Sequence, residues 1–365
     1  MIKSIEAIAV RLPMKKPVIM AGEEVRAAEN VLVRIEDDGG LTGWGEAASA
    51  PVMTGETLAS MTAAVNIMAP ALTGRDPRDL PGAHAAMGGK LYGNHAAKAA
   101  LEIALLDLAG RAEQKPVHAL LGTKKRHTMA LLTVIGGGDY DGDLEDAAKK
   151  KDAGYTAFKI KVGIDSAEKD ASRTRDICKL LGSGLLISSD ANQGFDTEEA
   201  CIYARAVQGC GLDFFEQPVD GHDLEGMTKV AKAANGVAIG ADEGIHSPDD
   251  IRRHHEKGAA RGVSLKAIKL GGLTGVRKAG ELCESLGMKV NLACKTGESS
   301  IGCAAALHAA CVLPNIAWGL TLTNAQLAED VTAQGVRTAR GHVDAMDTPG
   351  LGIDVDEARV RSYRA

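Results

Sequence analysis

The sequence predicts an α/β fold, a (β/α) barrel of TIM-like type, with an N-terminal α+β capping domain completed by the C-terminal tail. Three observations predict it. Asp190, Glu216 and Asp242 follow one another at intervals of 26 residues, and each closes a short apolar run: LLISSD, GLDFFE and GVAIGAD. Lysines stand in similar strand-like segments on either side, Lys159 and Lys161 in TAFKIKVG and Lys266 in VSLKAIK. Strand-like and helix-like stretches then alternate over most of the chain, the rhythm of a barrel whose strand ends converge on one mouth.

The elements follow in order. Residues 1–36 read as strand, loop, strand, because IEAIAVRL and NVLVRIED both alternate apolar and polar positions before the turn Asp37-Asp38-Gly39-Gly40. Met14–Glu24 between them, with Pro17, Ile19, Met20 and Gly22, reads as a loop and as a lid. Thr54 opens a helical stretch. His95–Gln114 is expected to be an amphipathic helix, with Leu101, Leu105 and Leu108 on one stripe and Glu102 on another face. Pro116 and Gly122 punctuate its end, so 1–125 form the capping domain.

Eight strands are expected in the barrel, 126–335: Leu131–Ile135, Ala157–Lys161, Leu185–Ser189, Leu212–Glu216, Val237–Ala241, Val263–Ile268, Lys289–Ala293 and Ile316–Leu320. Ala167–Leu181, Thr197–Gln208 and Leu273–Leu286 read as helices between them. Such alternation could also build a doubly wound sheet, but no GxGxxG fingerprint opens any helix, and Gly136-Gly137-Gly138 reads as a flexible turn. The loop-rich tail, 336–365, is expected to return to the cap.

Composition narrows the function. With 45% apolar and 25% charged residues, the chain has the balance of a soluble globular protein with a large core. A net charge of −6 without a basic cluster argues against nucleic acid. No apolar run approaches the roughly 20 residues needed to cross a bilayer, and MIKSIEAIAVRLPMKKP lacks the apolar block of a secretory leader. Seven cysteines without CxxC pairing read as reduced thiols in a cytoplasmic protein. A small-molecule partner remains, not nucleic acid and not a membrane.

Carboxylates at three successive strand ends suit a hard divalent cation, which prefers oxygen ligands and keeps positions open for substrate or water. Any one of them could instead cap the helix that follows; three at equal spacing favour the metal. Proton removal α to a carboxylate produces an unstable dianion, which a cation stabilises. The base must be neutral, and a neighbouring cation lowers its pKa. Lys159 and Lys161, two apart on a strand, point to the same side. Lys159 can therefore assist Lys161 and contact a substrate carboxylate. In VSLKAIKLGG both Lys266 and Lys269 are candidates for a second acid/base, with Lys266 preferred.

At these residues the chain resembles the enolase superfamily, specifically its muconate-lactonizing subgroup, over nearly its whole length. The matching motifs are LTGWGEA, AKAALEIALLDLAGR, the K-x-K of Lys159 and Lys161, D-A-N at Asp190–Asn192 and E-Q-P at Glu216–Pro218. A-D-E at Ala241–Glu243 and L-K-x-x-K-x-G-G at Leu265–Gly272 complete the set. The resemblance implies that Asp190, Glu216 and Asp242 hold Mg²⁺, or Mn²⁺, and that Lys161 and Lys266 form the acid/base pair. Lysine-and-metal chemistry through an enediolate is general for such sites. Asn192 then belongs with the substrate-binding or assisting residues. Glu298, in the loop Gly297-Glu298-Ser299-Ser300, is expected near the substrate carboxylate, or in the first turn of a helix, favoured there by the dipole. Lys295 lies outside the family pattern. It either sits at the surface or neutralises a second substrate anion.

Dipeptide epimerases of the family carry an aspartate pair at the end of the eighth strand, whereas this chain reads WGLTLTNAQLAED, with Thr321 and Thr323. The best reading is therefore a muconate cycloisomerase-like lactonizing enzyme acting on a small carboxylate. Alternatives are a racemase or epimerase of an N-substituted or cyclic amino acid, and a dehydratase or o-succinylbenzoate synthase-like enzyme. A non-catalytic metal-binding barrel is the reading from another class. The resemblance also implies a homo-oligomer, dimer or octamer.

Overall fold

A computed structural model describes residues 1–20, 23–136 and 139–365 of the chain. Strands β1 (Ile2–Met20), β2 (Glu23–Asp37) and β3 (Thr42–Ala48) form an antiparallel sheet in chain order. Alternating side chains give this sheet two apolar faces. Val31, Val33 and Ile35 pack with Met61, Val65, Leu101 and Leu105 of the cap helices, while Val10, Leu12 and Leu32 join the main core.

The segment Met14–Glu24 is not the loop expected. β1 continues to Met20 and pairs Val18 with Val25 and Met20 with Glu23 after an irregularity between Pro13 and Val18. β1 is an edge strand, where a missing proline N–H is tolerated at a break in register. Gly22, part of the expected lid, and Gly137-Gly138 of the glycine turn lie outside the described residues. Thr54 likewise ends a short helix, Pro51–Thr54, and the longer helix Leu58–Leu72 starts after a capping box made by Thr57 and Ser60.

The helix His95–Glu113 forms where expected but has no polar face along its middle. Every residue from Ala99 to Gly110 is buried, including Glu102 and Asp107. It lies wedged between β3 and barrel helices, and its close approach to β3 is possible because Gly45 is there: a Cβ would sit 2.0 Å from the Ala100 carbonyl oxygen. The two acids find partners. Glu102 accepts the Thr274 N–H (3.1 Å) at the start of helix Leu273–Ser285. Asp107 accepts the N–H groups of Trp44 (2.9 Å) and Leu351 (2.8 Å).

β4 (Thr128–Ala130) precedes the barrel. β5 (Leu132–Ile135), β6 (Ala157–Lys161), β7 (Leu186–Asp190), β8 (Phe214–Glu216), β9 (Ala238–Ala241), β10 (Gly262–Leu265), β11 (Lys289–Ala293) and β12 (Leu320–Thr321) are parallel and adjacent in chain order. A bridge between Leu131 and Leu320 closes the ring. β6 and β11 match their expected limits; the others shift at their ends. β10 stops at Leu265, so Lys266 is the N-cap of a short helix, Ala267–Leu270, and not a strand residue. β12 begins later than expected because Gly319, at φ +84°, turns the chain after Trp318.

Trp318 instead seals the floor of the barrel. It stacks on Phe214 with ring centroids 4.0 Å apart, among Leu132 and Ala157. In the tail, β13 (His342–Asp344) pairs with β4, and the Arg11 N–H donates to the Tyr363 carbonyl (2.9 Å), so the last residues lie along β1. All seven cysteines are free, and five are buried. Among the described residues no helix is long and apolar enough to cross a membrane.

The floor makes a specific demand on Gly262, where a Cβ would lie 2.3 Å from the Trp318 ring and 2.5 Å from the Lys289 carbonyl oxygen. Gly262→Ala is expected to lose about 1–3 kcal/mol through overpacking. An unchanged thermal unfolding midpoint would show that the floor yields without cost.

Candidate active site

The period-two alternation of β6 turns Ala157 into the floor and carries Lys159 and Lys161 above it, inside the ring. Its neighbours continue the layer. Lys161 is in register with Asp190, and Asp190 with Glu216. Asp242 follows the last residue of β9, and Lys266 the last residue of β10. The structure thus brings together five of the expected residues and Lys159.

Each carboxylate meets a lysine. Lys161 Nζ lies 2.7 Å from Asp190 Oδ2. Lys159 Nζ donates to Glu216 Oε2 at 2.6 Å and lies 3.7 Å from Asp190. Lys266 donates to Asp242, whose other oxygen takes Lys269 Nζ at 2.6 Å. Asn192 accepts from Lys161 through its side-chain oxygen, and its amide group donates to Glu243 at 3.0 Å. The Ser264 hydroxyl donates to Glu216 (2.8 Å), and Gln217 accepts the Asp242 N–H (2.8 Å). Asn192, two residues beyond β7, and Gln217, directly after β8, hold positive φ values of 44° and 35°. Such backbone is costly for non-glycine residues and clusters at functional sites.

Electrostatics follow from burial and pairing. Burial pulls Lys159 and Lys266 down, but the acids beside them outweigh it and hold both above the usual lysine range. Burial pushes Asp242 up, but Lys266 and Lys269 more than reverse it. Glu216 is raised by burial, which Lys159 offsets only in part, and its neighbours Asp190 and Asp242 add to the rise. Glu243, buried beside Asp242 and Asp190, is pushed up to about 7.

Among the described residues no group of three His, Cys, Asp or Glu side chains is gathered as a ready metal cage, because the carboxylate oxygens are turned to lysines. The donor chemistry nonetheless fits a hard dication. Asp190, Glu216 and Asp242 are buried all-oxygen donors, close enough that the charges of Asp190 and Asp242 raise Glu216. A cleft of about 340 Å³ lined by Pro51, Met53, Gln193, His222 and Glu243 opens between the cap and these strand ends.

Lys295 continues the inward alternation of Asn291 and Ala293. It is 9% exposed, and its ammonium has no hydrogen-bond or ion-pair partner among the described residues. Burial lowers it to about 8. Glu298 is not in the first turn of the following helix: Ser299 is the N-cap of Ser300–Val312, and Glu298 precedes it. Its carboxylate lies in the seam between cap and barrel, where burial and the charge of Glu46 push it up to about 8. Glu46, on β3, accepts from the Ser299 hydroxyl (2.6 Å) and the Gly302 N–H (2.8 Å), so a cap residue caps a barrel helix.

Sequence reasoning missed four of these groups as site members. The sequence offers Lys269 only as a rival to Lys266, and Glu243, Gln217 and Glu46 only within motifs. The K-x-x-K spacing was the available signal for Lys269, since residues three apart share a helix face.

Residues 4–122 match the mandelate racemase / muconate lactonizing enzyme N-terminal domain, and residues 143–359 match the enolase C-terminal domain-like family. The chain belongs to the enolase superfamily. Within it, the likeness is to the muconate-lactonizing subgroup. Chloromuconate cycloisomerase of Cupriavidus necator is 30% identical over 99% of this chain and 98% of its own length. L-Ala-D/L-Glu epimerase of Bacillus subtilis is 32% identical over 96% and 95%. The crystal structure of muconate lactonizing enzyme from Pseudomonas fluorescens, complexed with muconolactone, superposes with a TM-score of 0.94 at 29% identity, covering 100% of this chain and 99% of that one. This superfamily member is an enzyme, and its relatives are isomerases that process small carboxylates.

The seam carries a pH signature. Glu298 rises from 4.5 to about 8 on folding, so the native state keeps a proton that the unfolded chain loses across that window. Its contribution to stability therefore falls as the pH climbs from 4.5 to about 8 and levels off beyond. Urea unfolding of wild type and Glu298→Gln across this range should give diverging curves, with the variant gaining relative to wild type at higher pH. Parallel curves would count against the assignment.

Proposed function

We propose that the enzyme transfers a proton α to a substrate carboxylate, with Lys161 and Lys266 as the acid/base pair. The observation that carries this reading is their placement: β6 and β10 stand half-way round the ring from each other, with the three carboxylates between them. Asp190, Glu216 and Asp242 would hold Mg²⁺ or Mn²⁺. That cation supplies charge stabilisation for the dianionic enediolate left when the proton departs. With these carboxylates turned to a cation, Lys161 or Lys266 would lose the pairing it now makes with Asp190 or Asp242 and act as the base. Lys159, held against Glu216, sits two residues before Lys161 on the same side of β6 and would meet the substrate carboxylate. Asn192 orients Lys161 through its side-chain oxygen.

For the substrate we favour a cycloisomerase acting on a muconate-like diacid. The supporting observations are the chloromuconate cycloisomerase relative and the lack of an aspartate pair at the end of β12, where Thr321 and Thr323 stand. Asp330, the acid that closes this segment, is engaged by the Ser300 hydroxyl (2.6 Å) and so is not free to hold an ammonium. Racemisation or epimerisation is the second reading, favoured by lysines on both sides and by the dipeptide epimerase relative. A cytoplasmic homo-oligomer completes the reading, with the family likeness as its support.

Treatment with EDTA should abolish turnover and added Mg²⁺ or Mn²⁺ restore it; full activity in metal-free enzyme would end the metal reading. In α-deuterium exchange over a panel of carboxylates, Lys161→Ala and Lys266→Ala should each lose exchange at one face by about 10²-fold or more. Exchange at both faces in the Lys266 variant would move the role to another group.

A further inference from the structure

We propose that Lys295 and Thr321 form a second subsite at the barrel mouth, which binds a carboxylate of the substrate remote from the one that reacts. The inference rests on the reading of this site as a carboxylate enzyme. It begins with a charge left unmatched. Lys159, Lys161, Lys266 and Lys269 each have a carboxylate within 2.7 Å or closer. Lys295 is as enclosed as its neighbours yet pairs with none. Its ammonium is not wholly enclosed, so it reaches the opening of the mouth, and a partly enclosed ammonium without a partner favours an arriving anion.

The surroundings rule out the obvious internal partners. Glu298 is within electrostatic influence but makes no ion pair with Lys295, and its carboxylate lies at the seam beside Glu46. Asp330 is held by Ser300. On the adjoining strand, Thr321 is in register with inward-turned Ala293, and its hydroxyl is buried with no hydrogen-bond partner. The backbone ties the two together, since the Cys294 N–H donates to the Thr321 carbonyl (2.9 Å) immediately before Lys295. One amine and one hydroxyl, both unsatisfied, thus stand at neighbouring strand ends. Lys295 also lies close enough to Lys266 to feel its charge, which places the subsite on the Lys266 side of the mouth.

An anionic oxygen acceptor satisfies both groups at once: the ammonium provides charge and up to three donors, the hydroxyl one more. An ammonium there would be repelled, and an apolar tail would leave both polar groups unsatisfied. A dicarboxylate whose second carboxylate reaches β11 and β12 is the substrate class this chemistry selects.

The test measures binding of two probes of equal chain length, adipate and hexanoate, to the Mg²⁺-loaded enzyme by calorimetry. Wild type should prefer adipate by about tenfold or more, the value of one charge-assisted contact. Lys295→Met should erase that preference without weakening hexanoate, Lys295→Arg should keep most of it, and Thr321→Val should reduce it by a smaller factor. A protection assay makes the result independent of any variant's folding: acetylation of wild-type Lys295, followed by mass spectrometry, should be slowed by adipate and not by hexanoate. Equal binding of both probes, or an undiminished preference in Lys295→Met, would overturn the subsite while leaving the carboxylate reading in place. Failure of both probes to bind would overturn the two together.

Discussion

Charge taken out of water governs the architecture of this barrel. Lysines and carboxylates at the strand ends are nearly all enclosed, and an isolated ion in such surroundings is strongly disfavoured. The structure meets that constraint by alternation. Along the ring, cationic β6 faces acidic β7 and β8, and acidic Asp242 faces Lys266 and Lys269. Each ion is held in place by its neighbour's charge as much as by its own rotamer. The same balance couples the lysines to one another through the acids they share.

The cap is joined to the barrel by the same device in a different form. Glu46 and Glu102 reach across from the cap to accept the free N–H groups that begin two barrel helices, and Asp107 does so for the tail at Leu351. Helix N-termini expose unpaired donors and a partial positive charge, which offset the burial of Glu46 only in part, whereas Asp107 also pairs with Arg111 at 3.0 Å. The seam is polar, specific and enclosed, unlike the apolar packing beneath the cap sheet.

Much of this was legible in the sequence. The spacing of Asp190, Glu216 and Asp242 reflects the strand–helix repeat, and a repeat fixes which end of each strand an acid occupies. The K-x-K pair was legible because alternation on a strand depends on the backbone alone. Glu46 was not, because its role depends on what lies opposite in space, at Ser299, and the K-x-x-K spacing offers Lys269 without showing that it meets Asp242. The helix His95–Glu113 misled for a related reason: its acids suggested a wet face, whereas they serve as internal acceptors. Met14–Glu24 misled because prolines that signal a loop are also tolerated at the broken register of an edge strand.

The stacked pair Phe214 and Trp318, with Gly262 leaving room for them, has a kinetic meaning as well as a structural one. A filled floor closes one end of the barrel to solvent. Among the described residues, the cleft beside Glu243 lies on the cap side of the lysines, opposite the filled floor. In a chamber closed at one end, passage is sequential, so under the proposed function the cap would set the pace of release.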